Sequence, residues 1–135
     1  MNDVVLLNIS IDSSAEKIWQ VLTDVEIFNQ CFENIKKIVS GSIESGKTVV
    51  IESIHHGEKI ADEINIKSAY TNERLSFGLL KKDTEKEIDV TFSLKPSGNF
   101  TYLTIEGRNF SDEFDRSQSE NNWINMMQLI KKYIQ

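Results

Sequence analysis

The sequence predicts an α+β protein built on an antiparallel sheet. Three observations favour this class: many short segments alternate apolar and polar residues, tight turns separate them, and helical patterns occur in only two places. Consecutive strands joined by short turns pair antiparallel, and helices segregated from strands are typical of α+β proteins. The predicted order is one strand, two short helices, six strands and a long helix. We expect a single domain over residues 1–135.

The first strand and the first helix are predicted from the spacing of their apolar residues, which differs between the two. Residues 5–11 alternate apolar and more polar side chains, as in a strand with one buried face. Ser13 and Glu16 then have the spacing of a capping box, which opens a helix. Trp19 lies on the apolar stripe of that helix. We therefore expect Trp19 to be largely buried.

A second short helix is predicted directly after the first. Asp24 can cap it, because an aspartate side chain accepts hydrogen bonds from the free amides of a first turn. The segment carries Phe28 and Phe32, which follow each other at one helical turn. The two helices are thus short and adjacent, and only strand patterns follow until the C-terminal segment.

A hairpin in the middle of the chain determines which polar residues face inward. Gly57 and Glu58 can form a two-residue turn with glycine first. The register that this turn implies places Ile51 opposite Ile64 and puts both on one face of the sheet. His55 and Asp62 share that face, because side chains two residues apart on a strand point the same way. We expect both to be directed inward.

A strand at residues 35–42 precedes this hairpin, and three further strands complete the sheet. The strands at 74–80, 88–94 and 101–109 alternate apolar and polar residues. Phe77 and Phe92 are separated from the other apolar residues of their strands by even numbers of residues, so both are predicted to share the interior face.

The C-terminal helix is predicted from Ser117 to Gln135. Ser117 and Glu120 have the spacing of a capping box. Apolar side chains then recur every three or four residues and form a broad stripe that must be buried against a large surface. The stripe consists of Trp123, Met127, Ile130 and Ile134, with Met126, Leu129 and Tyr133 beside it. The sheet is the surface that the rest of the chain can supply.

Segments along nearly the whole chain resemble the START-like superfamily, also known as SRPBCC or Bet v 1-like. They are most similar to the branch named after the C-terminal domain of the activator of Hsp90 ATPase. The similar segments are residues 14–19 with 22–24, residues 72–77, 90–94 and 101–105, and residues 122–123 with 129–134. The resemblance implies a helix-grip fold, in which a curved antiparallel sheet of about seven strands surrounds the C-terminal helix. It also implies a cavity between sheet and helix, which across the superfamily holds lipids, steroids, polyketides or plant hormones.

The residues expected at such a cavity come from four parts of the chain. Its walls are predicted to contain Phe77, Phe92, Trp123 and Met127. Phe28 and Phe32 would close its mouth. His55 and Asp62 would form an inward polar pair that orients a ligand or titrates near neutral pH, unless their place near the hairpin tip exposes them to water.

Composition and residue counts argue against several function classes. The net charge of −6 argues against a nucleic-acid surface. His55 and His56 are the only histidines, and as strand neighbours they face opposite ways, so a metal site rich in histidine or thiolate is not expected. A carboxylate-only metal site stays open, although the sequence has no calcium-loop spacing. No cofactor is expected. No apolar run is long enough for membrane insertion. Cys31 is the only cysteine, which excludes an internal disulfide and favours the cytoplasm. A small buried thiol is the preferred interpretation of Cys31, ahead of a nucleophile.

The leading functional hypothesis is a soluble domain that binds an apolar or lipid-like small molecule. The resemblance supports it, and no catalytic motif is found in the sequence. A second hypothesis is an interaction protein, a co-chaperone of the Hsp90 kind. A third is a cyclase or hydrolase that uses His55 and Asp62 as acid and base. A chaperone partner and a homodimer also stay open at this point.

Overall fold

A computed structural model describes residues 3–33, 35–82 and 84–135, and the side chain of His55 lies outside the described part. It confirms the α+β helix-grip fold, with a seven-stranded antiparallel sheet, a long C-terminal helix and two short helices after the first strand. The elements are β1 (Val4–Ile11), α1 (Ala15–Thr23), α2 (Val25–Cys31), β2 (Lys36–Ser40), β3 (Thr48–His55), β4 (Glu58–Tyr70), β5 (Arg74–Leu80), β6 (Ile88–Ser97), β7 (Phe100–Arg108) and α3 (Glu113–Ile134).

The strand order explains why the two short helices follow the first strand. The sheet runs β1-β7-β6-β5-β4-β3-β2, so β1 and β2 form its opposite edges. The chain must therefore cross from one edge to the other between these strands, and α1 and α2 make that crossing. Every other connection joins neighbouring antiparallel strands by a short turn or loop.

The caps of the short helices agree with the sequence prediction except for one residue. Asp24 caps α2 by accepting a hydrogen bond from the amide of Ile27 at 3.1 Å. Ser14, and not Ser13, caps α1, and its hydroxyl accepts from the amide of Lys17. The prediction fails at Ser13 because the amide of this residue closes a turn onto the carbonyl of Ile11, so the helix begins one residue later.

The apolar face of α1 is also rotated from the predicted stripe. Ile18, Val21 and Leu22 are buried, whereas Trp19 is only half-buried. Our expectation of a largely buried Trp19 is therefore met only in part, because Trp19 packs against the core but stays partly exposed. The face that meets the sheet is centred on Ile18 and Leu22, and Trp19 stands at its margin.

The β3–β4 hairpin differs from its predicted register by two residues. His56 and Gly57 form the turn, and both have positive φ angles of 51° and 81°. Two left-handed residues are what a type I′ hairpin requires, and this turn type matches the twist of the strands. Ile51 therefore lies opposite Asp62 and not opposite Ile64. Because the shift is an even number of residues, Ile51, Asp62 and Ile64 stay on their predicted face.

The C-terminal helix begins four residues before the predicted capping box. Asp112 is the cap, and its carboxylate accepts from the amide of Asp115 at 2.8 Å. Ser117 therefore lies in the second turn of α3, where its amide already has a helical partner. None of the helices in the described ranges combines the length and the hydropathy that crossing a bilayer requires.

The C-terminal half of α3 is fixed to the edge of the fold. Met127 and Ile130 are buried, and α3 packs there against β1, α1 and α2. Polar contacts support this end: the hydroxyl of Tyr133 donates to Gln30 at 3.0 Å, and the side-chain oxygen of Gln135 accepts from the amide of Asp12 at 2.8 Å. The helix end is thereby held against the two short helices and the end of β1.

Trp123 is positioned by a close approach to β7. Gly107 faces the indole ring, and a β-carbon at this position would overlap two ring atoms of Trp123. Phe110 packs beside the ring, with the two ring centroids 6.0 Å apart. A glycine is therefore required at residue 107 to let α3 lie this close to the sheet.

This close approach predicts a stability cost for adding one methyl group. Gly107→Ala should lower the free energy of unfolding by about 1–3 kcal/mol, because the methyl group overpacks against the indole. Urea unfolding measures this change. Gly78→Ala is the comparison, since a β-carbon there would displace the side chain of Glu87 and its contacts with Asn65 and Lys67, a cost that does not depend on Trp123. In a Trp123→Leu background the cost of Gly107→Ala should shrink. Equal costs in both backgrounds would contradict the proposed packing.

Candidate functional site

A cavity of about 460 Å³ lies between α3 and the inward face of β3, β4 and β5. This volume falls within the roughly 300–1,000 Å³ of small-molecule sites in proteins. Its wall is mainly apolar and includes side chains from the sheet, from α2 and from α3. Among them are Phe28, Ile51, Ile64, Phe77, Phe92 and Trp123.

The structure brings five of the predicted site residues together at this cavity. They are Phe28, Asp62, Phe77, Phe92 and Trp123. Phe77 and Phe92 are on neighbouring strands and meet edge to face, with ring centroids 5.4 Å apart. Whether any of the five contacts a ligand stays a prediction.

Three other predicted residues are placed differently. Phe32 is 1 % exposed and packs behind Phe28, with ring centroids 4.7 Å apart, so it lies outside the cavity wall. Met127 also lies outside the wall, and Met126 is in the wall instead. One residue corresponds to about 100° around a helix, which turns Met127 toward the packed core. The side chain of His55 is outside the described residues, although its backbone ends β3.

Lys36 is a cavity residue that the sequence analysis missed. It is the first residue of β2, and its side chain shares the inward face with buried Ile38. Its Nζ atom lies 3.4 Å from the sulfur of Met126 on α3, a weak acceptor. No carboxylate of the described residues lies within 4.0 Å of this Nζ atom. The ammonium group therefore faces the cavity without a direct anionic partner.

The surroundings of Lys36 change its protonation. Burial lowers the pKa of Lys36 to about 8, because an apolar environment disfavours the charged form. The negative charge of Asp62 opposes part of this shift. At neutral pH the group is thus mostly an ammonium, but it exchanges its proton much more readily than an exposed lysine does.

Two polar groups on neighbouring strands accompany Lys36. Ser53 lies directly opposite Lys36 in the β2–β3 register and is 9 % exposed. Its hydroxyl makes no hydrogen bond to any described residue. Asp62 is half-buried at the wall and accepts a hydrogen bond from the amide of Lys82 at 2.9 Å. Lys36, Ser53 and Asp62 therefore form one polar part of a mainly apolar cavity wall.

An ion pair connects the sheet to the N-terminal half of α3. Lys81 follows β5 and bonds to Asp115, and it also donates to the hydroxyl of Ser119 at 3.3 Å. Burial alone would raise the pKa of Asp115, but the hydrogen bond and charge of Lys81, with the amide of Ser111, hold it below its ordinary value. The pair closes one end of the cavity, because Lys81 and Ser119 are both in its wall.

The cavity opens between α3 and the β3–β4 hairpin. Gln118, Asn122 and Asn125 are exposed wall residues on one face of α3. Opposite them are His56 in the hairpin turn and Lys82 after β5, both exposed. These side chains surround the mouth with uncharged amides and a few titratable groups.

The site offers little of the machinery that enzymes use. Within residues 3–33, 35–82 and 84–135 no group of three histidine, cysteine or acidic side chains is placed to hold a metal ion. Burial raises the pKa of Cys31 to about 11, so this thiol is protonated at neutral pH and a poor nucleophile. Its sulfur lies 3.8 Å from the carbonyl oxygen of Leu129, in the packing between α2 and α3.

The family assignment rests on a sequence comparison. Residues 12–135 match the family described as Activator of Hsp90 ATPase homolog 1-like protein. The chain belongs to this family. The resemblance to the START-like superfamily drawn from the sequence is thereby confirmed. Among curated proteins no sequence matches the chain.

Solved structures share the fold of this family member at low sequence identity. Protein CV1439 from Chromobacterium violaceum has a TM-score of 0.88 at 15 % identity, covering 98 % of this chain and 97 % of its own. DynU16, from the dynemicin biosynthetic locus, has a TM-score of 0.83 at 18 % identity, covering 99 % of this chain. The present chain spans only 48 % of the length of DynU16. The Aha1 dimer from Colwellia psychrerythraea has a TM-score of 0.74 at 19 % identity, covering 95 % and 92 %.

These likenesses show the fold and nothing finer, because identities this low do not transfer a ligand or a partner. The family fold is compatible with binding a small molecule in its interior. A homodimer and a chaperone partner stay predictions for this chain.

The ion pair between Lys81 and Asp115 predicts a pH-dependent stability. Asp115→Asn should lower the free energy of unfolding by about 2 kcal/mol at pH 7, since a partly buried charged hydrogen bond is lost. The pKa of Asp115 is lowered in the folded protein, so its contribution is present above the ordinary aspartate pKa of about 3.9. It is lost as the pH falls through the folded pKa. Urea unfolding at pH 7 and near pH 2 measures both limits.

A second carboxylate provides the control for this prediction. Glu113 pairs with Arg116 on the exposed surface of α3, so Glu113→Gln should change stability much less. A cost for Asp115→Asn that is the same at both pH values would contradict the role assigned to the ion pair.

Proposed function

We propose that this protein binds an apolar or amphipathic small molecule inside the cavity between α3 and the sheet. The cavity itself is the observation that carries the proposal. A volume of about 460 Å³ among apolar side chains is space that a folded core would normally fill. Space of this size that opens at the surface is the form that small-molecule sites take, so a functional use is the simplest account of it.

The form of the wall supports a binding site over a packing defect. Small-molecule sites are mostly apolar and contain a few polar groups that orient the ligand. Here, Phe77, Phe92 and Trp123 supply aromatic surface, while Lys36 and Asp62 supply polar groups at one end. The uncharged amide side chains at the mouth are compatible with water, and they leave the entrance open to a ligand.

A binding function also agrees with the chemistry of the described residues better than catalysis does. An acid–base pair needs two groups that can exchange protons with one reacting centre. The acid–base pair predicted from the sequence, His55 and Asp62, stays a prediction. Cys31 has a raised pKa and lies in packing, away from the cavity wall.

The proposal predicts uptake of a neutral apolar dye. N-phenyl-1-naphthylamine fluoresces strongly in apolar surroundings, so we expect it to brighten and saturate as it enters the cavity. Ile51→Trp should reduce the dye's affinity at least tenfold, because the larger side chain projects from β3 into the cavity. Since it fills existing space, the variant should stay folded. Fluorescence titration and thermal unfolding measure the two quantities.

Val39→Trp is the matched control for added surface hydrophobicity. Val39 is on β2, is 46 % exposed and lies outside the cavity wall. Dye affinity should be unchanged in this variant. Failure of the wild-type protein to bind the dye would contradict the proposal, and so would equal binding by the wild-type protein and Ile51→Trp.

A further inference from the structure

We infer that the cavity selects amphipathic carboxylic acids, with the ligand carboxylate held between the ammonium of Lys36 and the hydroxyl of Ser53. This inference rests on the proposed function, because it names the class of molecule that the same cavity takes. It adds an assignment of charge and orientation: the acid group lies at the β2–β3 end of the cavity and the apolar body extends along the aromatic wall.

The first argument is the incomplete pairing of Lys36. Lys36 is partly buried, and an ammonium taken out of water is stabilised when hydrogen bonds or an opposite charge replace the water it has lost. The Nζ atom of Lys36 has the sulfur of Met126 as its partner at 3.4 Å, and thioether sulfur is a weak acceptor. A carboxylate arriving with a ligand would supply the missing anion and form a charge-assisted hydrogen bond.

The second argument is the position of Ser53. It faces Lys36 directly across the β2–β3 ladder, so the two side chains emerge side by side on the inward face. Ser53 as a whole is 9 % exposed at the cavity wall, and its hydroxyl makes no hydrogen bond to a described residue, so it is free to donate to a ligand. A carboxylate has two oxygens, and the pair of adjacent donors from Lys36 and Ser53 matches them.

The third argument concerns the number of charges at this end. Lys81 is at the wall too, but it is already paired with Asp115. Lys82 is exposed at the mouth. Asp62 adds a negative charge close enough to act on Lys36. Asp62 repels any anion placed beside Lys36, and this repulsion is about twice as large for a doubly charged phosphate monoester as for a singly charged carboxylate, so of the two the carboxylate is favoured.

The inference is tested by comparing a charged ligand with its uncharged ester. Dansylaminoundecanoic acid and its methyl ester share the same fluorophore and chain, and they differ in charge at one end. At pH 7 we expect the wild-type protein to bind the acid about tenfold or more tightly than the ester. Lys36→Met should remove this preference while leaving ester affinity within about twofold, because methionine keeps the length and apolar volume of the side chain.

Two further variants separate the roles of the neighbouring groups. Ser53→Ala should reduce the preference for the acid by less than Lys36→Met does, because it removes a neutral donor and keeps the charge. Lys37→Met is the matched control, since Lys37 is the exposed neighbour on the opposite face of β2. It should leave both affinities unchanged.

The wild-type protein provides a second test that needs no substitution at Lys36. The acid-to-ester affinity ratio should fall between about pH 7 and pH 9.5, because Lys36 loses its positive charge around pH 8. Among the described residues, the other titratable or charged groups facing the cavity are Asp62, His56, Lys81 and Lys82. The pH dependence of the affinity ratio that remains in the Lys36→Met variant measures the contribution of these other groups.

The possible results distinguish the two proposals. If neither the neutral naphthylamine dye nor the ester binds, both the binding function and this inference are overturned. If the dye and the ester bind but the acid binds no better, or if its advantage survives in Lys36→Met, the inference is overturned and the binding function stands. A preference that disappears in Lys36→Met and declines with rising pH supports the inference.

Discussion

The structure depends on how α3 is held over the sheet. Its C-terminal half packs against β1, α1 and α2, and its N-terminal half is tied to the end of β5 by the ion pair between Lys81 and Asp115. Between these attachments Trp123 rests on Gly107 of β7. The helix is thus supported along β1 and β7 and stands away from β3, β4 and β5, where a cavity of about 460 Å³ results. Lys36 is desolvated because it faces this space and not bulk water.

Most of the fold could be predicted from the sequence, because burial on one face makes apolar residues recur at regular spacing along each strand and helix. The alternation along β6 and β7 and the stripe on α3 are consequences of one-sided burial. All three elements have the predicted type, although α3 begins earlier than predicted. The wrong predictions concern local details, in which a neighbouring residue takes the role that was assigned to another. Ser14 replaced Ser13 as a cap, and the β3–β4 turn moved to His56 and Gly57 because two left-handed residues fit the strand twist.

The candidate site was less predictable, since cavity walls and packed cores use the same apolar residues. The aromatic wall of Phe77, Phe92 and Trp123 followed from strand parity and helix phase. Lys36 was missed because alternation through residues 35–39 allows two phases, and the phase with more apolar side chains inward would have exposed Lys36. The structure uses the other phase, in which Ile38 is buried and Val39 is exposed. Two adjacent lysines on a strand are the signal, since one of them has to face inward.

The most direct test of this account is the titration of Lys36 itself. Nuclear magnetic resonance of the lysine side chains, with Lys36→Met to assign the signal, follows the loss of its proton as the pH rises. The account predicts a midpoint near pH 8 in the free protein. It also predicts an upward shift when dansylaminoundecanoic acid is added, because a carboxylate beside the ammonium favours the charged form. A midpoint near the ordinary lysine value of about 10.4, unmoved by the acid, would mean that Lys36 faces water and would contradict the account.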